Sequence, residues 1–116
     1  MINLTNKRIL VVEDEVVIAM MLQDMLAEMG AVVVGPAYNL KSGVELAKFA
    51  EIDGAVLDFN LGNGTSADIA DLLASRKIPF LLATGYGQTT DNKHDVPVLQ
   101  KPCLQHDLEF ALSKIF

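Results

Sequence analysis

Short apolar runs alternate with helix-like segments along the chain, and this alternation constrains the fold more than any other feature. The clearest run, residues 9–12, is unbroken and rich in β-branched residues, which is typical of a strand buried on both faces. Similar runs occupy residues 31–35, 55–57, 80–83 and, more weakly, 96–99. Strands that alternate with helices at this spacing predict a parallel sheet with helices on both faces.

Apolar residues between these runs recur at helical spacing. The first helix is predicted from Glu15 to Met29, because Gly30 is a residue type that commonly caps helix C-termini. The second is predicted to follow Asn39, a favourable N-cap, and the third to follow Thr65 and Ser66. The apolar positions that support the last three helices are Leu40, Val44 and Ala47; Ile69, Leu72 and Leu73; and Leu104, Leu108, Ala111, Leu112 and Ile115.

One segment breaks the alternation. Residues 87–95 contain no apolar side chain, so a helix there would have no face to bury and packing could not stabilise it. Where the pattern calls for a fourth of five helices, the sequence therefore predicts a short or disordered one.

The composition narrows the class of protein. The 116 residues fit a single domain, and 15 acidic against 9 basic residues give a net charge of −6 that disfavours nucleic acid and anionic membranes as partners. No apolar stretch approaches the roughly 20 residues that span a bilayer, and the first eight residues do not resemble a signal peptide. The single cysteine, Cys103, cannot form an internal disulfide, which fits a reducing compartment. A soluble cytoplasmic domain is expected.

Polar residues collect where the predicted strands end. Glu13 and Asp14 follow the first strand, Asp58 the third, Thr84 the fourth and Lys101 the fifth. Ligands of parallel sheets bind at these carboxyl ends, so three carboxylates are expected to share one cleft. A hard divalent cation such as Mg²⁺ would neutralise them, and a lysine and a hydroxyl beside the metal could hold an anion. This combination is suited to phosphoryl transfer.

Taken together, these residues resemble a known family. The string from Ile9 to Glu15, Val-Leu-Asp58, Thr84 and Lys101-Pro102 resemble, end to end, the receiver domain of response regulators in bacterial two-component systems. The resemblance implies one receiver domain over residues 1–116, with a flavodoxin-like, doubly wound, five-stranded parallel sheet of order 2-1-3-4-5. It further implies that Asp58 accepts a phosphoryl group from a phosphohistidine.

The same resemblance implies a set of site residues. Asp14 and Asp58 would ligate Mg²⁺ directly, Glu13 would act through a water molecule, and the backbone carbonyl of Asn60 would complete the protein ligands. Thr84 would bind one phosphoryl oxygen and move inward after transfer. Lys101 would pair with another phosphoryl oxygen. The peptide bond between Lys101 and Pro102 would be cis.

The sequence also departs from the common receiver pattern. Most receivers carry an aromatic residue three positions before the lysine, and here that position is Val98. Residues 79–86 resemble the subgroup named for its Phe-x-Thr-Gly-Tyr motif, often called FATGUY receivers. With Val98 in place of the aromatic residue, Tyr86 becomes the candidate switch residue.

The first helix is unusually apolar. Val16, Met20 and Ala27 are predicted on the side away from the core, where a surface helix is normally polar. In receivers this helix borders the docking surface for the histidine-bearing bundle of a sensor kinase or phosphotransfer protein, so these residues form a candidate partner face. The residues predicted on its core side are Ile18, Met21, Leu22, Met25 and Met29.

The leading hypothesis is a monomeric switch without turnover of a separate substrate. One alternative is a Mg²⁺-dependent phosphatase of the haloacid dehalogenase type, but those enzymes carry Asp-x-Asp after the first strand, and here Asp58-Phe59-Asn60 follows the third. A second alternative is a degenerate receiver that binds its partner constitutively.

Overall fold

The computed structural model describes residues 2–62, 64–85 and 92–116. Five parallel strands form one sheet in the order β2-β1-β3-β4-β5, so the predicted α/β fold is confirmed. The elements in chain order are β1 (Arg8–Val12), α1 (Val16–Glu28), β2 (Val32–Ala37), α2 (Leu40–Phe49), β3 (Gly54–Asp58), α3 (Ala67–Ser75), β4 (Phe80–Gly85), β5 (Val98–Lys101) and α4 (Gln105–Ser113).

The apolar runs form the sheet because both of its faces are covered. Successive side chains of β1 point to opposite faces of the sheet, so Ile9 and Leu10 enter separate core clusters. Helices α2 and α3 cover one face, and α1 and α4 cover the other. None of the helices in the described ranges is long and apolar enough to cross a membrane.

Strand register brings the functional residues to one edge of the sheet. Val12 is paired with Leu57, so the residues that follow β1 lie beside Asp58 at the end of β3. Asp58 is paired with Ala83 of β4, and Gly85 with Lys101 of β5. Four neighbouring strands therefore present their carboxyl ends to one cleft.

Two parts of the chain differ from the sequence-based expectation. The fifth strand begins at Val98, two residues after the predicted start, and extends to Lys101. Residues 92–97 form no helix. Residues 86–91 lie outside the described residues, and they include most of the segment that was predicted to form a short or disordered helix. Asn92 closes a turn here, since its side chain accepts from the Val96 amide at 3.0 Å and donates to its carbonyl at 2.7 Å.

The buried stripe of α1 is rotated relative to the prediction. Ala19, Leu22, Leu26 and Met29 are buried, whereas Met21, predicted in the core, is 40% exposed. The error has a physical reason: α1 is apolar on nearly every side, so the period of its apolar residues does not define one face.

Candidate functional site

Three carboxylates meet at the carboxyl end of the sheet. Glu13 and Asp14 follow β1, and Asp58 is the last residue of the neighbouring strand β3. Each side chain offers one oxygen, and these oxygens lie within 4.8 Å of one another. Glu13 and Asp58 are buried, with 0% and 1% of their surface exposed. The Glu13 amide donates to the Ala37 carbonyl of β2 at 2.9 Å, which holds the backbone of this corner in place.

Lys101 links two of these carboxylates. Its Nζ lies 3.0 and 3.2 Å from the two carboxylate oxygens of Glu13 and 3.0 Å from Oδ2 of Asp58. The Lys101 side chain is only 9% exposed, and Glu15 lies at the rim, with Oε1 4.0 Å from Nζ. The peptide bond from Lys101 to Pro102 is cis. One ammonium group is thus enclosed among the acids.

The site holds more carboxylate groups than its single ammonium group can neutralise. The pKa of Asp58 is raised to about 8, chiefly by burial and then by hydrogen bonding with Glu13 and Asp14, while the hydrogen bond with Lys101 opposes the rise. Burial disfavours the charged form of Lys101, but its hydrogen bonds to Asp58 and Glu13 outweigh burial and raise its pKa. A single ammonium therefore does not neutralise three carboxylates held this closely.

A divalent metal ion fits this donor set. Carboxylate oxygens are hard ligands of the kind that Mg²⁺ prefers, and Asp14 reaches the solvent from which a hydrated ion would enter. A dication would supply the positive charge that the Asp58 carboxylate lacks when only Lys101 is present. Glu13, Asp14 and Asp58 are the acidic residues of the described chain whose side chains could hold it.

Thr84 lies on β4 beside this cleft. It is one residue beyond Ala83, the strand partner of Asp58, and it is buried. Phe59 donates its amide to the Ala83 carbonyl at 2.9 Å, which ties the chain after Asp58 to β4. Val98 is 45% exposed at the start of edge strand β5 and is not part of the acidic cluster. Tyr86 lies outside the described residues.

The turn after β3 adds two features that the sequence analysis did not assign. Asn60, predicted to contribute its backbone carbonyl, also accepts from the Gly62 amide through Oδ1 at 3.1 Å. Gly62 has φ of +80° and faces Asp14. The Asn-Leu-Gly-Asn-Gly composition of this segment was a signal for a tight turn, but not for a turn against the acidic cluster.

The candidate partner face is exposed. Val16 and Met20 are 54% and 55% exposed, and Ala27 is also exposed. Val17, which was not assigned to this face, is 70% exposed and enlarges the apolar surface near the site. Exposed apolar area of this kind is a common property of protein-binding surfaces.

The raised pKa of Asp58 predicts how stability changes with pH. The unfolded carboxyl has its ordinary value of 3.8 and the folded one about 8, so between these values the folded metal-free protein binds more protons. Its free energy of unfolding should therefore fall as pH rises through this window, by at most about 1.4 kcal/mol per pH unit from this group. Urea denaturation in EDTA from pH 5 to 8 measures the slope. Asp58→Asn should lack this component, and identical slopes would contradict the assignment.

Comparisons with known proteins agree with the geometry. A sequence profile of the response regulator receiver domain matches residues 9–112. The transcriptional regulatory protein PdtaR of Mycobacterium tuberculosis is 35% identical over 83 residues, which cover 71% of this chain and 40% of PdtaR. The phyllosphere-induced regulator PhyR of Methylorubrum extorquens is 33% identical over 112 residues, which cover 91% of this chain and 42% of PhyR. The chain thus spans about two-fifths of the length of these curated relatives.

Solved structures give the same result. SdrG from Sphingomonas melonis Fr1 has 39% identity and a TM-score of 0.86, with 95% of this chain and 96% of that chain covered. The BeF3-activated conformation of SdrG from Pseudomonas melonis Fr1 has 37% identity and a TM-score of 0.77, with 94% and 95% covered. Sequence, fold and the arrangement of the acidic cluster lead to one conclusion: the chain belongs to the response regulator receiver domain family.

Proposed function

We propose that this receiver domain is a phosphorylation switch in which Asp58 accepts a phosphoryl group from a phosphohistidine of a sensor kinase or phosphotransfer protein. The contact between Lys101 and Asp58 carries the proposal, because it places an ammonium 3.0 Å from a buried carboxylate oxygen. That oxygen would attack phosphorus, the phosphorus–nitrogen bond would break, and the released imidazole would take a proton from solvent. The product is an acyl phosphate on Asp58.

The metal assignment is part of this proposal. Asp14 and Asp58 would ligate Mg²⁺ directly, Glu13 through a water molecule, and Asn60 through its backbone carbonyl. When bound, the ion would neutralise charge on the transferred group. The close carboxylate oxygens and the raised pKa of Asp58 support it, since both call for additional positive charge.

Lys101 and Thr84 would read the new phosphoryl group. Lys101 now bonds Glu13 and Asp58, and a phosphoryl group on Asp58 would offer it an oxygen with greater negative charge. Thr84, buried one residue past the partner of Asp58, would bond a second oxygen and move inward. Because Val98 is not aromatic, we assign the next step of the switch to Tyr86, in keeping with the FATGUY subgroup.

The expected partner is a helical bundle that presents a phosphohistidine. The exposed apolar residues Val16, Met20 and Ala27 on α1 would form part of the docking surface. We propose that the domain acts as a monomer, does not turn over a separate substrate and does not bind nucleic acid, in line with its net charge of −6. In a longer protein it would control attached domains, and on its own it would act as a regulator or phosphate shuttle.

Magnesium should stabilise the folded protein by mass action, because the ligands are assembled only in the native state. At 100 times the dissociation constant the increment is about 2.7 kcal/mol. Asp14→Ala should remove most of this increment, as measured by the Mg²⁺-dependent shift of the thermal midpoint. Asp24→Ala, which removes an exposed carboxylate of α1 outside the cluster, is the matched control. Equal shifts in Asp14→Ala and wild type would contradict the ligand assignment.

Intact-mass measurement tests the function as a whole. The protein is incubated with acetyl phosphate, with Mg²⁺ or with EDTA, and its mass and the donor concentration are followed. A stable, Mg²⁺-dependent gain of one phosphoryl group supports the switch. Continuous consumption of many donor equivalents per protein would support a phosphatase instead, and no gain and no turnover would support a constitutive binding module. Either of the latter results overturns the proposal.

A further inference from the structure

The turn after β3 is held by the Asn60 side chain. The backbone amide of Asn60 donates to Oδ1 of Asp58 at 3.3 Å. The side-chain oxygen Oδ1 of Asn60 accepts from the backbone amide of Gly62 at 3.1 Å. A bridge between Asn60 and Thr65 closes the base of the turn, and Leu61 donates to the Gly64 carbonyl at 2.9 Å. These hydrogen bonds link Gly62 through Asn60 to Asp58 and thereby fix its position.

Gly62 lies against the outermost carboxylate of the cluster. A Cβ built on it would lie 3.5 Å from Oδ2 of Asp14, and among the described residues no other heavy atom beyond its chain neighbours would lie within 4 Å. Its φ of +80° is a conformation that glycine adopts freely and other residues adopt at a cost. Within the described chain, Asp14 is in no ion pair, whereas Glu13 and Asp58 are both held by Lys101. The turn thus borders Asp14, a carboxylate that is not among those paired with Lys101.

We propose that Gly62, together with the Asn60 side chain that holds it, positions Asp14 for the metal ion. This inference rests on the proposed function, since it takes Asp14 as a direct metal ligand. The glycine allows the turn to lie close to Oδ2 without a side chain in the space that a hydrated ion would need. The Asn60 side chain acts through Gly62, apart from any bond that its backbone carbonyl makes to the metal.

Substitution at the two glycines of the turn separates this role from a general effect on the loop. Gly62→Ala would place a methyl group against Asp14 in a strained backbone conformation. Gly64→Ala introduces the same methyl group at a position where no heavy atom of the described residues, apart from the chain neighbours, lies within 4 Å. Changes to the groups that surround metal ligands typically cost about 10- to 100-fold in affinity, so Gly62→Ala should raise the Mg²⁺ dissociation constant at least about tenfold. Gly64→Ala should change it by less than about twofold, as expected of a surface change.

Two substitutions of Asn60 provide a second, independent test. Asn60→Ala removes the acceptor for the Gly62 amide but keeps the backbone carbonyl, and it should weaken Mg²⁺ binding. Asn60→Ser restores a side-chain oxygen that can accept in the same local turn, although more weakly, and should recover part of the affinity. A purely structural role would lower metal-free stability and leave both dissociation constants unchanged at a temperature where each variant is folded.

The experiment is an NMR titration of the wild-type 116-residue chain and the four variants with MgCl₂ alone, followed through backbone amide shifts. Urea denaturation in EDTA gives the metal-free stability of each protein. The inference is supported by weaker binding in Gly62→Ala and Asn60→Ala, with recovery in Asn60→Ser. It is overturned if wild type binds Mg²⁺ and Gly62→Ala binds it equally well. If wild type does not bind Mg²⁺, the metal centre of the proposed function fails, and this inference fails with it.

Discussion

Asp58→Asn is expected to take up phosphate from acetyl phosphate more than about a thousandfold more slowly than wild type, because the substitution removes the nucleophile. The amide has nearly the same shape as the carboxylate, so the fold should persist. It also relieves repulsion in a site where burial and neighbouring acids raise the pKa of Asp58 to about 8. The metal-free variant should therefore be at least as stable as wild type at pH 8. Phosphate uptake by intact mass and urea denaturation in EDTA measure the two effects.

The matched control removes a carboxylate that has no part in the site. Asp24→Asn neutralises an exposed acid on α1 and should be phosphorylated at the wild-type rate. Uptake by Asp58→Asn at a rate similar to that of wild type would show that another residue accepts the phosphoryl group.

Lys101→Met is expected to lower the free energy of unfolding by about 3 kcal/mol, because removal of one partner leaves buried charge without compensation. Glu13 and Asp58 would both lose the ammonium that lies about 3 Å from their oxygens. Protonation of Asp58 would recover part of the loss, so the destabilisation should increase as pH rises from 6 to 9. Urea denaturation in EDTA measures it.

Lys93→Met is the corresponding control on the surface. Lys93 pairs with Asp71 at 3.2 Å, but the two side chains are 67% and 48% exposed, and exposed pairs of this kind contribute little to stability. The double variant Lys101→Met/Asp58→Asn should be more stable than Lys101→Met alone. Equal small losses in Lys101→Met and Lys93→Met would show that Lys101 does not compensate buried charge.

The fold could be predicted where burial dictates the residue type. Residues 9–12 and 80–83 read as strands because strands covered on both faces need unbroken apolar runs. The fifth strand was misplaced by two residues, because edge strand β5 alternates exposed and buried positions and ends in Gln100 and Lys101. Helix α1 could be located, but its buried face could not, because it is apolar on nearly every side.

The site could be predicted as far as topology determines it. Parallel strands bring their carboxyl ends together, so the convergence of Glu13, Asp58 and Lys101 followed from their places in the chain. The hydrogen-bond partners and contacts of the site residues could not be predicted in the same way. That Lys101 bonds Glu13 as well as Asp58 depends on side-chain conformation across 88 residues of sequence separation. The approach of Gly62 to Asp14 depends on the shape of one turn.

Chemical mapping of the phosphoryl group shows directly which side chain accepts it. Wild-type protein is phosphorylated with acetyl phosphate and Mg²⁺ and then reduced with borohydride, which converts an acyl phosphate to an alcohol. Peptide mass spectrometry then identifies the modified residue. We predict that Asp58 is converted to homoserine, only after phosphorylation and not in Asp58→Asn. Conversion of Glu13 or Asp14 instead, or phosphorylation that borohydride does not remove, would contradict it.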